Sequence, residues 1–295
     1  MSSIDPKNAL LLALVGFTLF YLATLVRAMA KRRTESSGDA VPTGGTLATG
    51  FVTNFFDTLG IGSYATTTAI FRKWKLVPDE HIPGTLTIGH TLPTIAQAFI
   101  FTKLVPVDPW TLTLMIVAAI AGAWLGAGVV ARWPRKKVQL GMGLALTGAA
   151  ILLALTIFKL VPGGGDLLEL DGSKLAAGLA GNFVLGALMT IGIGLYAPCM
   201  LLIYLLGMQP TAAFPIMMGS CAFLMPVASQ RFAGVGSFNG RAVLGLAVGG
   251  IPAVLIAAFV VKSLPLDAVR WLVLIVVLYT AYGLLQTALG KKQEP

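Results

Sequence analysis

The chain has 295 residues, of which 56% are hydrophobic and 11% are charged, and its mean hydropathy is +0.85. This apolar content excludes an ordinary water-soluble domain, which could not bury so much of it. The net charge of +9 does not indicate a nucleic-acid partner, because the lysines and arginines cluster beside apolar segments, as positive-inside topology requires. We therefore expect an integral membrane protein that lies in a lipid bilayer.

Seven uninterrupted apolar runs are long enough to cross about 30 Å of hydrocarbon as helices. They fall near residues 9–29, 82–102, 110–131, 138–158, 211–229, 242–261 and 268–288. No segment alternates apolar and polar residues as a barrel strand does, so the predicted fold is all-α. The first run and the polar stretch after it predict an N-terminal transmembrane helix and a cytoplasmic linker over residues 1–45. A retained helix is favoured over a cleaved signal peptide, the alternative, because no basic segment precedes the apolar run.

Two further apolar segments, 46–71 and 175–204, carry glycines at corresponding places. The sequence TLGIGSYA from Thr58 recurs 132 positions later as TIGIGLYA, and ten of 19 residues agree from Leu47 and Leu179 onward. Internal repeats whose helices are interrupted by glycine indicate the binding site of a transporter.

The duplication predicts a first transporter repeat over 46–160 and a second over 175–288. If all nine apolar segments crossed the membrane, 11 lysines and arginines would lie inside and 10 outside; with both broken segments re-entrant, the division is 15 and 6. That bias predicts two re-entrant helical hairpins and about seven spanning helices, with the N-terminus outside and the C-terminus cytoplasmic. Because three spans separate the hairpins, they enter from opposite faces, which is an inverted-topology repeat.

The glycine turns are the predicted substrate site. Each returning half-helix begins at a turn, so its free N–H groups and positive dipole end, about half an elementary charge, point at the membrane midplane. Two such ends favour a small anion without any lysine or arginine. Glycines that only pack helices are the alternative, but their repetition favours a site. The predicted substrate-binding residues are Thr58, Gly60, Ile61, Gly62, Ser63, Tyr64, His90, Thr190, Gly192, Ile193, Gly194, Leu195, Tyr196 and Ser220.

Other polar residues at membrane depth have two interpretations each. His90 and Ser220 correspond at an offset of 130 and either contact the ligand or a proton, or form structural hydrogen bonds. Asp57 is, with His90, a candidate for ion coupling, although Met189 replaces it in the second repeat. Asn54, Asn182 and Gln97 either line the path or bridge helices, the tyrosines of the turns either bind the ligand or brace the backbone, and Thr66, Thr67 and Thr68 either face the path or bond their own helix.

At these residues the chain resembles the TauE/SafE family of sulfite and organosulfonate exporters. The resemblance covers about residues 45–288 and is carried by Gly50-Phe51-Val52, Leu59-Gly60-Ile61-Gly62 and Gly192-Ile193-Gly194. The first turn continues as Ser63-Tyr64, where many relatives have another glycine. The resemblance implies a secondary transporter that exports a small sulfur-containing anion of sulfite or sulfonate type across the cytoplasmic (inner) membrane.

Three other functions are weighed against export. A cation-coupled uptake carrier for another small anion would need a group such as Asp57. A membrane-embedded enzyme is disfavoured, because the two histidines, His81 and His90, have no partners at catalytic or metal-ligand spacing. A membrane scaffold is the third. We predict no cofactor and no metal site, and the oligomeric state is left open.

Overall fold

The computed structural model describes residues 6–35, 41–130, 132, 134–160, 165–190 and 194–290. Within these ranges the chain is helical, apart from turns and one isolated bridge between Leu167 and Met208, so the predicted all-α class is confirmed. The helices are α1 (Pro6–Glu35), α2 (Gly44–Thr58), α3 (Ser63–Lys73), α4 (Ile82–Leu104), α5 (Pro109–Val130), α6 (Arg135–Ile157), α7 (Gly172–Met189), α8 (Tyr196–Leu205), α9 (Ala213–Val235), α10 (Gly240–Ser263) and α11 (Leu266–Leu289), with short 3₁₀ turns before α4 and α9.

Five helices of the described chain are long and apolar enough to cross a membrane. They are Pro6–Ala30, Lys136–Ile157, Pro210–Val235, Gly240–Ser263 and Asp267–Leu289. The predicted run 82–102 forms the 23-residue helix α4, which is less apolar because it carries buried threonines, His90 and Gln97. The predicted run 110–131 lies in α5, in which the described side chains form the shorter apolar helix Pro109–Leu125. Seven spans therefore stay a prediction, of which five are supported.

The described chain forms two compact units, and each unit takes helices from both predicted repeats. The first contains residues 1–104 and 221–263. Within it, α2 packs directly on α10: a Cβ on Gly50 would meet the backbone of Leu246, and one on Gly249 would meet the backbone of Leu47. Close approach of this kind needs small residues, as is common between membrane helices. Helix α1 contacts α4, where the Tyr21 hydroxyl donates to the Ile88 carbonyl at 2.7 Å.

The second unit contains residues 105–220 and 264–295. Its helices α5 and α7 approach through Gly122 and Gly186, since a Cβ at either position would meet the backbone of the facing helix. Helices α6 and α11 also pack together, where Gly143 leaves room for the Leu285 side chain. In both units, then, the long helix before a glycine turn is held by glycine-mediated contact with another long helix.

Candidate functional site: two glycine turns between helices

Gly60 ends helix α2 with a Schellman motif. Its N–H donates to the Asp57 carbonyl at 2.8 Å, and the Ile61 N–H donates to the Phe56 carbonyl at 3.1 Å. Gly60 has φ +98°, a left-handed conformation that glycine adopts without the steric cost of a Cβ. Helix termination alone therefore accounts for a glycine at this position.

Gly62 begins helix α3 and faces open space. It is the N-cap residue of α3, with φ +86° and ψ 134°, and as a glycine it has no side chain to cap the helix. In the part of the chain that the structure describes, a Cβ built on Gly62 would meet no atom within 4 Å. The positive dipole end of α3 thus lies beside an unfilled volume. The cations of α3, Arg72 and Lys73, stand at its other end, about 15 Å away at 1.5 Å rise per residue.

The second turn has a similar organisation in the residues that can be described. Helix α8 starts at Tyr196, its first turn has no side-chain cap, and Leu195 before it is buried. A Cβ on Gly194 would again meet no atom of a described residue within 4 Å. Thr190, which ends α7, donates its hydroxyl to the Ala187 carbonyl of its own helix. The predicted site residues Gly192 and Ile193 lie outside the described residues.

His90 is brought to the first turn and bonds to two helices. Its Nδ1 lies 3.0 Å from Asn54 Oδ1 on α2, and its Nε2 lies 3.0 Å from Thr67 Oγ1 on α3. The Tyr64 ring centre is 6.1 Å from the imidazole centre. The two hydrogen bonds of His90 lie inside the protein, since Asn54, Thr67 and His90 have no exposed surface. Asn54 therefore bridges helices, and the two neighbours of Thr67 in sequence do not reach this cluster.

A second polar cluster joins the last turn of α2 to α4. Gln97 Nε2 donates to Asp57 Oδ2 and to Thr58 Oγ1, both at 2.9 Å. Thr58 in turn donates to the Asn54 carbonyl at 2.7 Å. Asp57 is only 3% exposed. Gln97 thus bridges helices, and both Asp57 and Thr58 are held within one turn of Gly60.

Tyr64, Ser220 and Asn182 also hydrogen-bond to protein groups. The Tyr64 hydroxyl donates to Thr87 Oγ1 on α4 over 3.4 Å, and Ser63 is buried at the start of α3. In the second unit, Ser220 donates to the Ile216 carbonyl at 2.7 Å. Asn182 on α7 donates to Ser220 Oγ at 3.3 Å and to the Met115 carbonyl on α5 at 2.6 Å. Asn182 therefore plays a bridging part like that of Asn54.

The amino-acid sequence does not show which of three consecutive threonines, Thr66 to Thr68, bonds to another helix. Thr66 and Thr68 donate to the carbonyls of Ser63 and Tyr64 in their own helix, whereas Thr67 reaches His90. The spacing of 23 residues between Thr67 and His90 equals that between Tyr64 and Thr87. This register between α3 and α4 exists only once the two helices pack.

The described residues hold no group of three or more His, Cys, Asp or Glu side chains that could bind a metal ion. What the turns offer chemically is backbone: two helix starts without side-chain caps, each next to a glycine with free space around its Cα. Such helix starts favour anions by geometry and by dipole.

Comparison with known proteins identifies the family. The profile of the sulfite exporter TauE/SafE family matches residues 1–153, just over half of the chain. The match takes in α1, both helices around the first glycine turn, and most of α6. No curated protein and no solved structure matches the chain. The family is one of membrane transporters rather than enzymes, and the chain belongs to it: it is a multi-pass membrane protein of the sulfite exporter TauE/SafE family.

Proposed function

We propose that this protein is a secondary transporter that exports a small sulfur-containing anion, sulfite or an organosulfonate, across the cytoplasmic membrane. Membership of the TauE/SafE family supports transport of an anion of this type. The observation that carries the assignment is the pair of half-helices that start after Gly62 and Gly194, which recur 132 residues apart, with no described atom within 4 Å of a Cβ built on either glycine.

The anion would meet backbone N–H groups rather than fixed cations. An oxyanion with two or three acceptor oxygens matches the N–H groups of a helix's first turn, which have no intrahelical acceptors. The side chains beside the first turn already bond to protein groups: Thr58 to Asn54, Tyr64 to Thr87 and His90 to two partners. Binding through dipoles alone is weak enough to allow release, which a carrier requires.

An inverted repeat with two re-entrant hairpins is part of this proposal. The ends of the short helices and the packing partners of the long helices support it. Helices α3 and α8 start after corresponding glycines and end in the same capping motif, with Lys75 and Gly207 at equivalent positions 132 residues apart. The long helices α5 and α10 correspond at an offset of 131, and each packs on the broken helix of the other repeat, α5 on α7 and α10 on α2. An inverted repeat would produce this pairing, in which a long helix of each repeat packs on the broken helix of the other.

Energetics favour export as the direction. An inside-negative membrane potential drives a monovalent anion outward with about 2.3 kcal/mol per 100 mV. Export therefore needs no coupling ion, whereas uptake against this force would need one. The proposed orientation, with the N-terminus outside and the C-terminus cytoplasmic, follows the distribution of lysine and arginine.

Flux measurements on purified protein in proteoliposomes test the proposal. We expect efflux of radiolabelled sulfite, or of a labelled organosulfonate, that increases with an imposed interior-negative potential and is absent from empty liposomes. An enzyme or a scaffold would give no such flux. Protein that is folded and inserted but moves neither anion under any gradient would refute the proposed function.

Glycine variants test the site itself. Gly194→Val should reduce flux at least tenfold, because the added side chain fills the space that the anion needs, while a Cβ on Gly194 meets no described atom within 4 Å. Gly62→Val should reduce flux too, with backbone strain added at φ +86°. Gly16→Val is the matched control, since Gly16 also has open space but lies on α1. Parental flux in folded Gly194→Val would show that the second turn does not contact substrate.

A further inference from the structure

We propose that His90 is a positioning residue, which holds helix α3 against α4 and so sets where the first turn of α3 stands, instead of contacting the anion. The inference rests on the proposed function in one respect, namely that the start of α3 forms part of the anion site. It assigns roles to three side chains, Asn54, His90 and Thr67, which connect α2, α4 and α3.

Asn54 selects the tautomer of His90. The Asn54 Nδ2 group donates to the Gly50 carbonyl at 2.7 Å, which directs its Oδ1 atom toward His90 Nδ1 at 3.0 Å. An amide oxygen only accepts hydrogen bonds, so Nδ1 must carry the ring proton. In the neutral imidazole, Nε2 is then an acceptor. Asn54 is itself held by its helix, because Gly50 is packed on α10 and cannot shift without moving that contact.

Thr67 completes the connection to α3. Its hydroxyl lies 3.0 Å from His90 Nε2 and, given the tautomer, donates to it. Thr67 is fully buried and stands four residues after Ser63, the first residue of α3. The bond therefore anchors α3 about one turn after Gly62. A shift of the helix at Thr67 would also move the N–H groups of its first turn.

Both ring nitrogens of His90 are engaged by protein, so its influence on the anion passes through α3. The second repeat lacks this anchor. The positions equivalent to Thr67 and His90 are Cys199 and Ser220, and the Ser220 hydroxyl donates to Ile216 within its own helix. The anchor is thus a property of the first hairpin, which distinguishes the two otherwise similar turns.

Adjacent threonine variants provide the test. Thr67→Val removes the hydroxyl with little change of shape, Thr67→Ser retains it, and Thr68→Val removes a hydroxyl that bonds only the Tyr64 carbonyl in the same helix. Amide hydrogen exchange of residues 63–68 should be about threefold to twentyfold faster in Thr67→Val, the range from the average to the strongest hydrogen bond in a membrane protein core, with sulfite flux reduced to a similar extent. Thr67→Ser should restore both, and Thr68→Val should change neither.

Two further measurements separate positioning from ligand contact. ¹⁵N NMR of histidine-labelled protein, assigned with His81→Gln, should show His90 as the neutral Nδ1–H tautomer. In the Thr67→Val background, adding His90→Phe should lower flux by less than about threefold, since the path through α3 is already broken. An Nε2–H tautomer, unchanged exchange in Thr67→Val, or a full further tenfold loss in the double variant would each overturn the inference.

Failure of this inference can be distinguished from failure of the proposed function. If the parental protein moves no anion, the proposed function fails, yet the tautomer and the exchange rates of α3 still decide the role of His90. If flux is present and Thr67→Val leaves both flux and exchange unchanged, transport stands and the positioning role falls.

Discussion

Buried polar residues beside the first glycine turn bond mainly to other parts of the protein. Asp57 accepts from Gln97, Thr58 bonds along its own helix, and His90 lies between two partners. In the interior of a membrane protein, polar groups without partners are costly, so these bonds stabilise the packing of α2 and α4 next to the turn. The residue that raises a question of mechanism is Asp57, because a carboxylate near an anion path either repels the anion or binds a cation or proton with it.

Asp57→Asn tests these two roles. We expect potential-driven efflux to change by less than about threefold. An asparagine side chain can still accept the hydrogen bond from Gln97, and the loss of one hydrogen bond in a membrane protein core changes an equilibrium by only about threefold on average. Met189 at the equivalent position of the second repeat and the sufficiency of the potential for export both point to uncoupled transport. Efflux is measured under an imposed potential without pH or sodium gradients.

The opposite outcome would assign coupling to Asp57. Parental protein that is silent under a potential but accumulates anion under a pH or sodium gradient would contradict uncoupled export. If Asp57→Asn then lost accumulation and kept anion-for-anion exchange, Asp57 would be the coupling group.

At the level of helices, α3 and α8 end alike with different residues. In each, the second residue after the helix takes a left-handed conformation: Lys75 with φ +49° and Gly207 with φ +81°. The Leu76 and Met208 N–H groups then bond back to the fifth preceding carbonyl, as in a Schellman motif. A left-handed conformation costs a residue with a Cβ roughly 1–2 kcal/mol, and Lys75 is exposed, so no buried contact offsets this cost.

Lys75→Gly should therefore stabilise the protein by about 1 kcal/mol, after allowing for the greater entropy of glycine in the unfolded chain. The reverse change, Gly207→Ala, should destabilise it by a similar amount, because the added Cβ meets only ordinary contacts at 3.6 Å or more and the strain lies in the backbone. Thermal or denaturant unfolding in detergent measures both. Lys75→Ala is the control: it removes the same charge without relieving the strain, and a gain equal to that of Lys75→Gly would refute the explanation.

At the level of the whole molecule, the two compact units each combine a broken helix pair with a long helix from the other repeat. Glycine contacts hold α2 on α10 and α7 on α5, so the helix before each glycine turn is fixed. The short helices α3 and α8 follow the turns. Whether these pairs re-enter the membrane decides which face each turn opens to.

Cysteine labelling decides the topology. Gly44→Cys, Lys73→Cys and Ser173→Cys place exposed thiols at the start of α2, the end of α3 and the start of α7. With two re-entrant hairpins, the first two should label from the cytoplasm and the third from outside. If every apolar segment spans, the first should still label from the cytoplasm, while Lys73→Cys labels from outside and Ser173→Cys from the cytoplasm. Parental protein is the background control, because Cys199 and Cys221 are buried.

The amino-acid sequence by itself determined the membrane class, the helical fold, the helix break at Gly60–Gly62 and the family, because these depend on apolar length, glycine conformation and local repetition, all of which are encoded within short segments. The helix ends Thr58 and Ser63 agree with the predicted break. Re-entry, substrate and direction stay predictions.

Only the tertiary structure decided which polar residues meet. That Thr67 rather than Thr66 or Thr68 reaches His90, and that Gln97 bonds both Asp57 and Thr58, depends on how α3 and α4 are rotated against α2. Close glycine packing of α2 and α4 on α10, a helix about 190 residues from α2 in sequence, sets how α2 and α4 face each other. No local pattern encodes such a contact, because its free energy exists only when both helices are present.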